Sequence, residues 1–248
     1  MNLKQNTRLW LSTVIACFIV GSLFLSPLGV SAAETAPYLP ESPDAGAEYL
    51  NAMYFFGEST TAHLRARGVL SGGTKTDRVW ADESGTRMLS SRITSLPIVY
   101  PPTGEHLSVS EACRCARPPY LVLSFGLNGV MKFAADRDLY LNSYGRLIEA
   151  VQQASPETRI LVQTVYPVAR ADAYSVDVDT LNAYILRLNE WLPALAERYE
   201  NLRVVDTASV LRGEDGRLLS SFAEPDGIHL TRAAYEAVLG YLRTHAWQ

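Results

Sequence analysis

A repeated alternation of short apolar runs with stretches of helical spacing constrains this chain more than any other feature. Tyr49 to Phe56 reads as a strand and Thr60 to Arg67 as a short helix. Tyr120 to Phe125 is a second strand, behind Pro118-Pro119, and Leu139 to Ala154 has helical spacing that ends before Pro156. Arg159 to Val165 is a strand, and Val178 to Tyr199 a long helix interrupted near Pro193. Leu202 to Val205 is a strand again, and Thr231 to His245 a closing helix with Thr231 as its N-cap. Strands that alternate with helices form a parallel sheet covered on both faces. In such a sheet ligands bind beyond the carboxyl ends of the strands. Gly68 to Gly104 breaks the pattern, being rich in Gly, Ser, Thr and Pro with short candidate strands at Arg78–Trp80 and Ile98–Tyr100. It reads as a small β insertion, a hairpin or a lid, in the α/β core.

The chain has 248 residues, 48% hydrophobic and 19% charged, which suits one domain plus extras with a sizeable core. Its net charge of −4 and the lack of a Lys/Arg cluster argue against nucleic acid as a partner. Residues 1–33 form a separate object. Lys4 and Arg8 precede an uncharged run from Leu9 to Ala33, and Val30-Ser31-Ala32 offers small residues for cleavage near Ala32–Ala33. Pro27 and Gly29 break the run before that point, which favours a signal peptide. The run is also long enough to span a bilayer, so an uncleaved anchor is the alternative. Either way the body faces outward, secreted or extracytoplasmic, and any membrane contact runs through this segment. Residues 34–48, with three prolines between Thr35 and Glu48, read as a linker. The folded domain is expected over residues 49–248. Cys17 belongs to the apolar run. Cys113 and Cys115 are too close in sequence for an unstrained disulfide, and without a histidine pair they make no zinc site.

Two distant segments carry chemistry. Phe56-Gly57-Glu58-Ser59-Thr60-Thr61 puts a serine on a tight strand-to-helix turn, where backbone N–H groups point outward and can stabilise an anion. Ser59 taken alone could equally be an N-cap. Asp226-Gly227-Ile228-His229-Leu230 supplies a carboxylate three residues before an imidazole. A turn brings such residues within about 7 Å at Cα, so Asp226 can orient the ring and steady the imidazolium formed when His229 takes the serine proton. Asn128, in Phe125-Gly126-Leu127-Asn128-Gly129, lies just past another strand end as a turn former or as an amide donor to an oxyanion. His63, one turn after Ser59, has no visible orienting acid, which leaves His229 as the better base. Trp80 and Tyr166 are read as core rather than as a sugar-binding face.

In order and position, Gly57-Glu58-Ser59, Gly126-Leu127-Asn128 and Asp226-Gly227-Ile228-His229 resemble the blocks of the SGNH (GDSL-like) hydrolases, from about residue 50 to the end. The absence of Gly-x-Ser-x-Gly argues against an α/β-hydrolase elbow. The resemblance implies a flavodoxin-like three-layer α/β/α fold and ester hydrolysis without metal or cofactor. It implies Ser59 as nucleophile, His229 as base and Asp226 as its partner, with the Ser59 N–H, a glycine N–H and the Asn128 amide as the oxyanion hole. Gly85, in Ser84-Gly85-Thr86, fits the glycine block best, and Ser71-Gly72-Gly73-Thr74 competes with it. The sequence departs from the family in having Glu58 where aspartate is usual and Gly129 where an aspartate commonly follows the asparagine. The expected function is an exported serine esterase acting on small-molecule or glycan esters, including cell-wall or environmental acetyl groups. A surface binding module that has lost turnover, and an O-acyltransferase using the same residues, are the alternatives.

Overall fold

The computed structural model describes residues 37–85 and 87–247. The expected leader over residues 1–33 lies outside the described residues. The helices are α1 (Gly46–Asn51), α2 (Ser59–Ala66), α3 (Val109–Ala116), α4 (Val130–Ala134), α5 (Arg137–Ala154), α6 (Val178–Trp191), α7 (Pro193–Arg198) and α8 (Arg232–Thr244). The strands are β1 (Met53–Gly57), β2 (Val79–Trp80), β3 (Ile98–Val99), β4 (His106–Leu107), β5 (Tyr120–Ser124), β6 (Arg159–Gln163) and β7 (Leu202–Val205). The main sheet is wholly parallel, in the order β2-β1-β5-β6-β7. β1 and β5 run in register to their ends, where Gly57 stands opposite Ser124. Ser59 and Asn128 therefore leave the sheet at one carboxyl edge, where parallel sheets bind ligands.

Period-two alternation divides the core. Phe56, Leu121, Leu123, Ile160 and Val162 pack with residues of α3, α5 and α6 on one face. Met53, Phe55, Val122, Leu161 and Val205 pack with Leu64 of α2 and the apolar stripe of α8 on the other. The result is the expected three-layer α/β/α arrangement. Trp80 is fully buried and Tyr166 nearly so, as core aromatics. On α6, Asn182 and Asn189 each use a side-chain amide both to accept from and to donate to the backbone, at Val168 and Val165 respectively. They hold the segment after β6 without a further strand.

Several boundaries differ from the sequence reading for physical reasons. Tyr49 and Leu50 belong to α1, which packs on α8, so β1 starts only at Met53. Asp44 accepts the Gly46 N–H (2.8 Å), fixing the start of that helix. Part of the expected linker is also structured. The Pro37 carbonyl accepts from Val204 N–H (2.8 Å) and Leu39 N–H donates back to the Val204 carbonyl (2.9 Å). These residues cover the edge of β7, which would otherwise present unpaired groups. Around 68–104 the expected inserted hairpin is present but small, and it lies at the C-terminal end of that stretch. Val79–Trp80 joins the main sheet beside β1, while β3 pairs antiparallel with β4 beyond the expected limit. Helix α3 was not expected. Its start is a capping box in which Ser108 and Glu111 bond each other's backbone N–H, at 3.3 and 2.7 Å. Cys113 lies on the buried face of α3, where burial pushes its thiol up to about 12, and Cys115 of the same helix is exposed; both are free thiols.

Candidate active site

Ser59 is the first residue of α2, and the N-cap position belongs to Glu58, whose side chain makes no cap bond. The capping alternative for Ser59 therefore falls. The turn from β1 into α2 needs Gly57 for space, because a Cβ there would collide with the Ser124 carbonyl and the Thr61 side chain. His229 arrives from the loop before α8, whose N-cap is Thr231 as expected. Its Nε2 lies 2.9 Å from Ser59 Oγ, and its Nδ1 lies 2.6 Å from Asp226 Oδ2. Asp226 Oδ1 accepts the backbone N–H of Ile228 and of His229, both at 2.9 Å. Burial acts to raise the Asp226 pKa, but the His229 ring and these backbone donors outweigh it and bring it down to about 2. The carboxylate is thus ionised at neutral pH. The three residues singled out by type and spacing meet as one hydrogen-bonded run.

This geometry coincides with a sequence match. The pattern of the GDSL-like Lipase/Acylhydrolase family spans residues 55–237. The chain belongs to this family. No curated protein matches it closely in sequence. Among solved structures it is similar to a Streptococcus pneumoniae protein described as a candidate platelet activating factor, at 19% identity. That match covers 77% of this chain and 82% of the other, with a TM-score of 0.56. It is also similar to a candidate lipolytic protein of the G-D-S-L family from Desulfitobacterium hafniense DCB-2, at 13% identity. There 78% of this chain and 98% of the other are covered, with a TM-score of 0.50. At these identities the likeness is one of fold.

In this GDSL-like acylhydrolase the loop bearing His229 is held from several sides. The Gly227 carbonyl accepts from Ala169 N–H (2.7 Å), and Arg170 Nη1 donates to the Pro225 carbonyl (3.0 Å). Tyr235 of α8 donates its hydroxyl to the Thr60 carbonyl (2.7 Å), tying the His229 side of the site to the Ser59 side. Gly227 has φ +71°, and a Cβ on it would sit 2.7 Å from the Arg170 nitrogen. We predict that Gly227→Ala costs about 2 kcal/mol or more and displaces both Asp226 and His229. A thermal melt and kcat on p-nitrophenyl acetate check this; unchanged values for both would contradict it.

Glu58 does work that its position in sequence did not disclose. It is buried, with Oε1 accepting Gly126 N–H (2.8 Å) and Oε2 accepting Asn128 N–H (3.0 Å). From the opposite side Tyr140 and Tyr144 of α5 donate to the Phe125 carbonyl, both at 3.0 Å. The Asn128 loop is therefore fixed by the residue that precedes Ser59. The longer arm of glutamate spans from the start of α2 to the loop after β5. Burial pushes the Glu58 carboxyl up to about 8, against the backbone donors at 126–128 that favour its charged form. A folded-state pKa above the ordinary 4.5 means that the stabilising term is full below that value and is lost as pH rises through about 8. Between about pH 5 and about pH 8 the native protein should lose urea stability more steeply than Glu58→Gln. That variant should also lower kcat, because its amide leaves one loop N–H unpaired. Parallel pH slopes for the two proteins would contradict this.

One hydrogen of the Asn128 amide is directed to the Arg87 carbonyl (3.3 Å), which leaves the other for a ligand. Gly85 follows β2 on the carboxyl side and lies close to α2, with a built Cβ 3.2 Å from that of Ala62. Its single N–H donates to the Asp82 carbonyl (3.2 Å) and would have to leave that turn to serve an oxyanion. The competing Ser71-Gly72 segment shares a surface depression with Asn51, which precedes β1, and so lies at the wrong end of the strands. Sequence reasoning missed Met88 and Met131, both exposed large apolar side chains. Met88 Sδ closes over Gly129 (3.1 Å from a built Cβ), and Met131 is adjacent in sequence to that loop. Only their exposure, invisible in sequence, marks them.

Proposed function

We propose that this GDSL-type acylhydrolase is an exported serine esterase that works through an acyl-enzyme on Ser59. The reading rests on one observation, the run from Ser59 Oγ through His229 Nε2 and Nδ1 to the Asp226 carboxylate, at 2.9 and 2.6 Å. His229 takes the Ser59 proton as Oγ attacks the ester carbonyl, and Asp226 holds the imidazolium. The tetrahedral oxyanion forms at the α2 N-terminus, where the N–H of the first helical residue has no carbonyl of its own helix to meet. The Ser59 N–H and the Asn128 amide are the proposed donors, with Gly85 as the third. His229 then protonates the leaving alcohol and, in the second half, activates the water that releases the acid.

Export is proposed from the uncharged run after Lys4 and Arg8. It makes O-acetylated carbohydrate, of cell walls or of the surroundings, the proposed substrate class. The test is acetate release from acetylated xylan and from O-acetylated peptidoglycan by the protein and by Ser59→Ala, with and without a free sugar acceptor. Acetate released only by the native protein is the expected result. Acetyl groups appearing on the acceptor in place of free acetate would make the protein a transferase. No turnover of any ester would leave a binding module.

A further inference from the structure

His63 is a titratable group beside this site that takes no part in the proton transfers from Ser59 to His229. It lies one turn into α2 after Ser59, and its ring centroid is 4.4 Å from that of His229, tilted by 34°. Its Nδ1 is buried and has no hydrogen-bond partner among the described residues. A proton on Nδ1 would be an orphaned buried donor, which costs more than an idle lone pair facing the same surroundings. A neutral ring with its proton on Nε2 is the form these surroundings accept. The charged and titratable groups that act on it are known. Across the ring contact is His229; Asp226 and Glu224 come from the loop before α8; and Arg67 caps the C-terminus of α2, paired with Glu224. Burial first, then the positive charges of His229 and Arg67, lower the His63 pKa, while the two carboxylates oppose that shift.

We infer that His63 is a positioning residue acting through His229: its neutral ring backs the His229 imidazole, fixes its plane, and favours the imidazolium formed when Ser59 gives up its proton. The inference rests on the proposed role of His229 as base. The proton passes from Ser59 Oγ to His229 Nε2 and later to the leaving oxygen, and His63 neither gains nor loses one. A neutral aromatic face against a cation is favourable, whereas a second positive charge 4.4 Å away opposes it. Protonating His63 in acid should therefore switch the device off.

The test compares His63→Ala, His63→Phe and Ser59→Ala with the native protein, using p-nitrophenyl acetate across the pH range. His63→Ala should lower kcat about five-fold with KM little changed. His63→Phe, which keeps a flat face but cannot titrate, should recover most of that loss. It should also remove the extra steepness that a second ionisation gives the acid limb of kcat/KM. Independently of turnover, the His63 ring followed by NMR should titrate at higher pH in His229→Gln than in the native protein. Native kcat in His63→Ala, a Phe variant no better than Ala, or a His63 titration unmoved by His229→Gln would each overturn the inference. If Ser59→Ala is inactive while His63→Ala matches the native enzyme, only this inference fails. If Ser59→Ala still turns over, the serine-esterase reading fails and takes the role of His63 with it.

Discussion

Asp226→Asn lowers kcat by about 10⁴ while leaving the fold in place. The geometry explains both halves of that expectation. Asp226 uses its two oxygens for different tasks, Oδ2 on the ring of His229 and Oδ1 on the backbone N–H of Ile228 and His229. An asparagine oxygen can keep the backbone bonds, so the turn survives. Its amide would then face His229 Nδ1, drive that nitrogen to act as acceptor, and put the proton on Nε2, where it blocks uptake from Ser59. The pH dependence of stability follows from the depressed pKa. The native carboxylate contributes fully above the ordinary 3.8 and loses that contribution as pH falls through about 2. Native and variant melts should therefore differ by a constant amount above about pH 5, so a loss of activity there cannot be attributed to unfolding. Near-native kcat would remove Asp226 from the mechanism.

Ser59→Ala should cost more, about 10⁶ in kcat, since the nucleophile itself is removed. It should also be nearly silent in stability. Ser59 is the first helical residue and Glu58 holds the cap position, so no capping bond is lost. The Ser59 hydroxyl bonds His229 Nε2, on a side chain that is 27% exposed rather than in the core. A melting temperature within error of the native value, together with abolished esterase activity, is the combination expected. A variant that is both inactive and unstable would put Ser59 in a structural role.

What could be read from the sequence follows the range of the forces involved. Leu202–Val205 is a strand with the predicted bounds, because three apolar residues, interrupted only by Arg203, lie between Asn201 and Asp206 and need no distant partner to be recognised. Asp226 and His229 were legible for the same reason, since a turn over three residues fixes their separation. Val79–Trp80 was misplaced because two apolar residues carry no period, and only pairing with Phe55 and Phe56 makes them a strand of the main sheet. The capping box at Ser108–Glu111 was a local signal and could have been found. The bonds from Glu58 to the loop at 126–128 could not, because they join residues 68 and 70 apart and depend on two strands ending in register. His63 lacked an orienting acid in sequence, and its ring contact with His229 appears only when α2 and the loop before α8 meet.

The central claim is that Ser59 forms a covalent acyl-enzyme. The most direct test is acid quenching of the protein during p-nitrophenyl acetate turnover, followed by intact mass and peptide mapping. One acetyl group on the peptide that contains Ser59, absent from Ser59→Ala, is the result this account predicts. Turnover with no adduct, or an adduct on another residue that persists in Ser59→Ala, would contradict it.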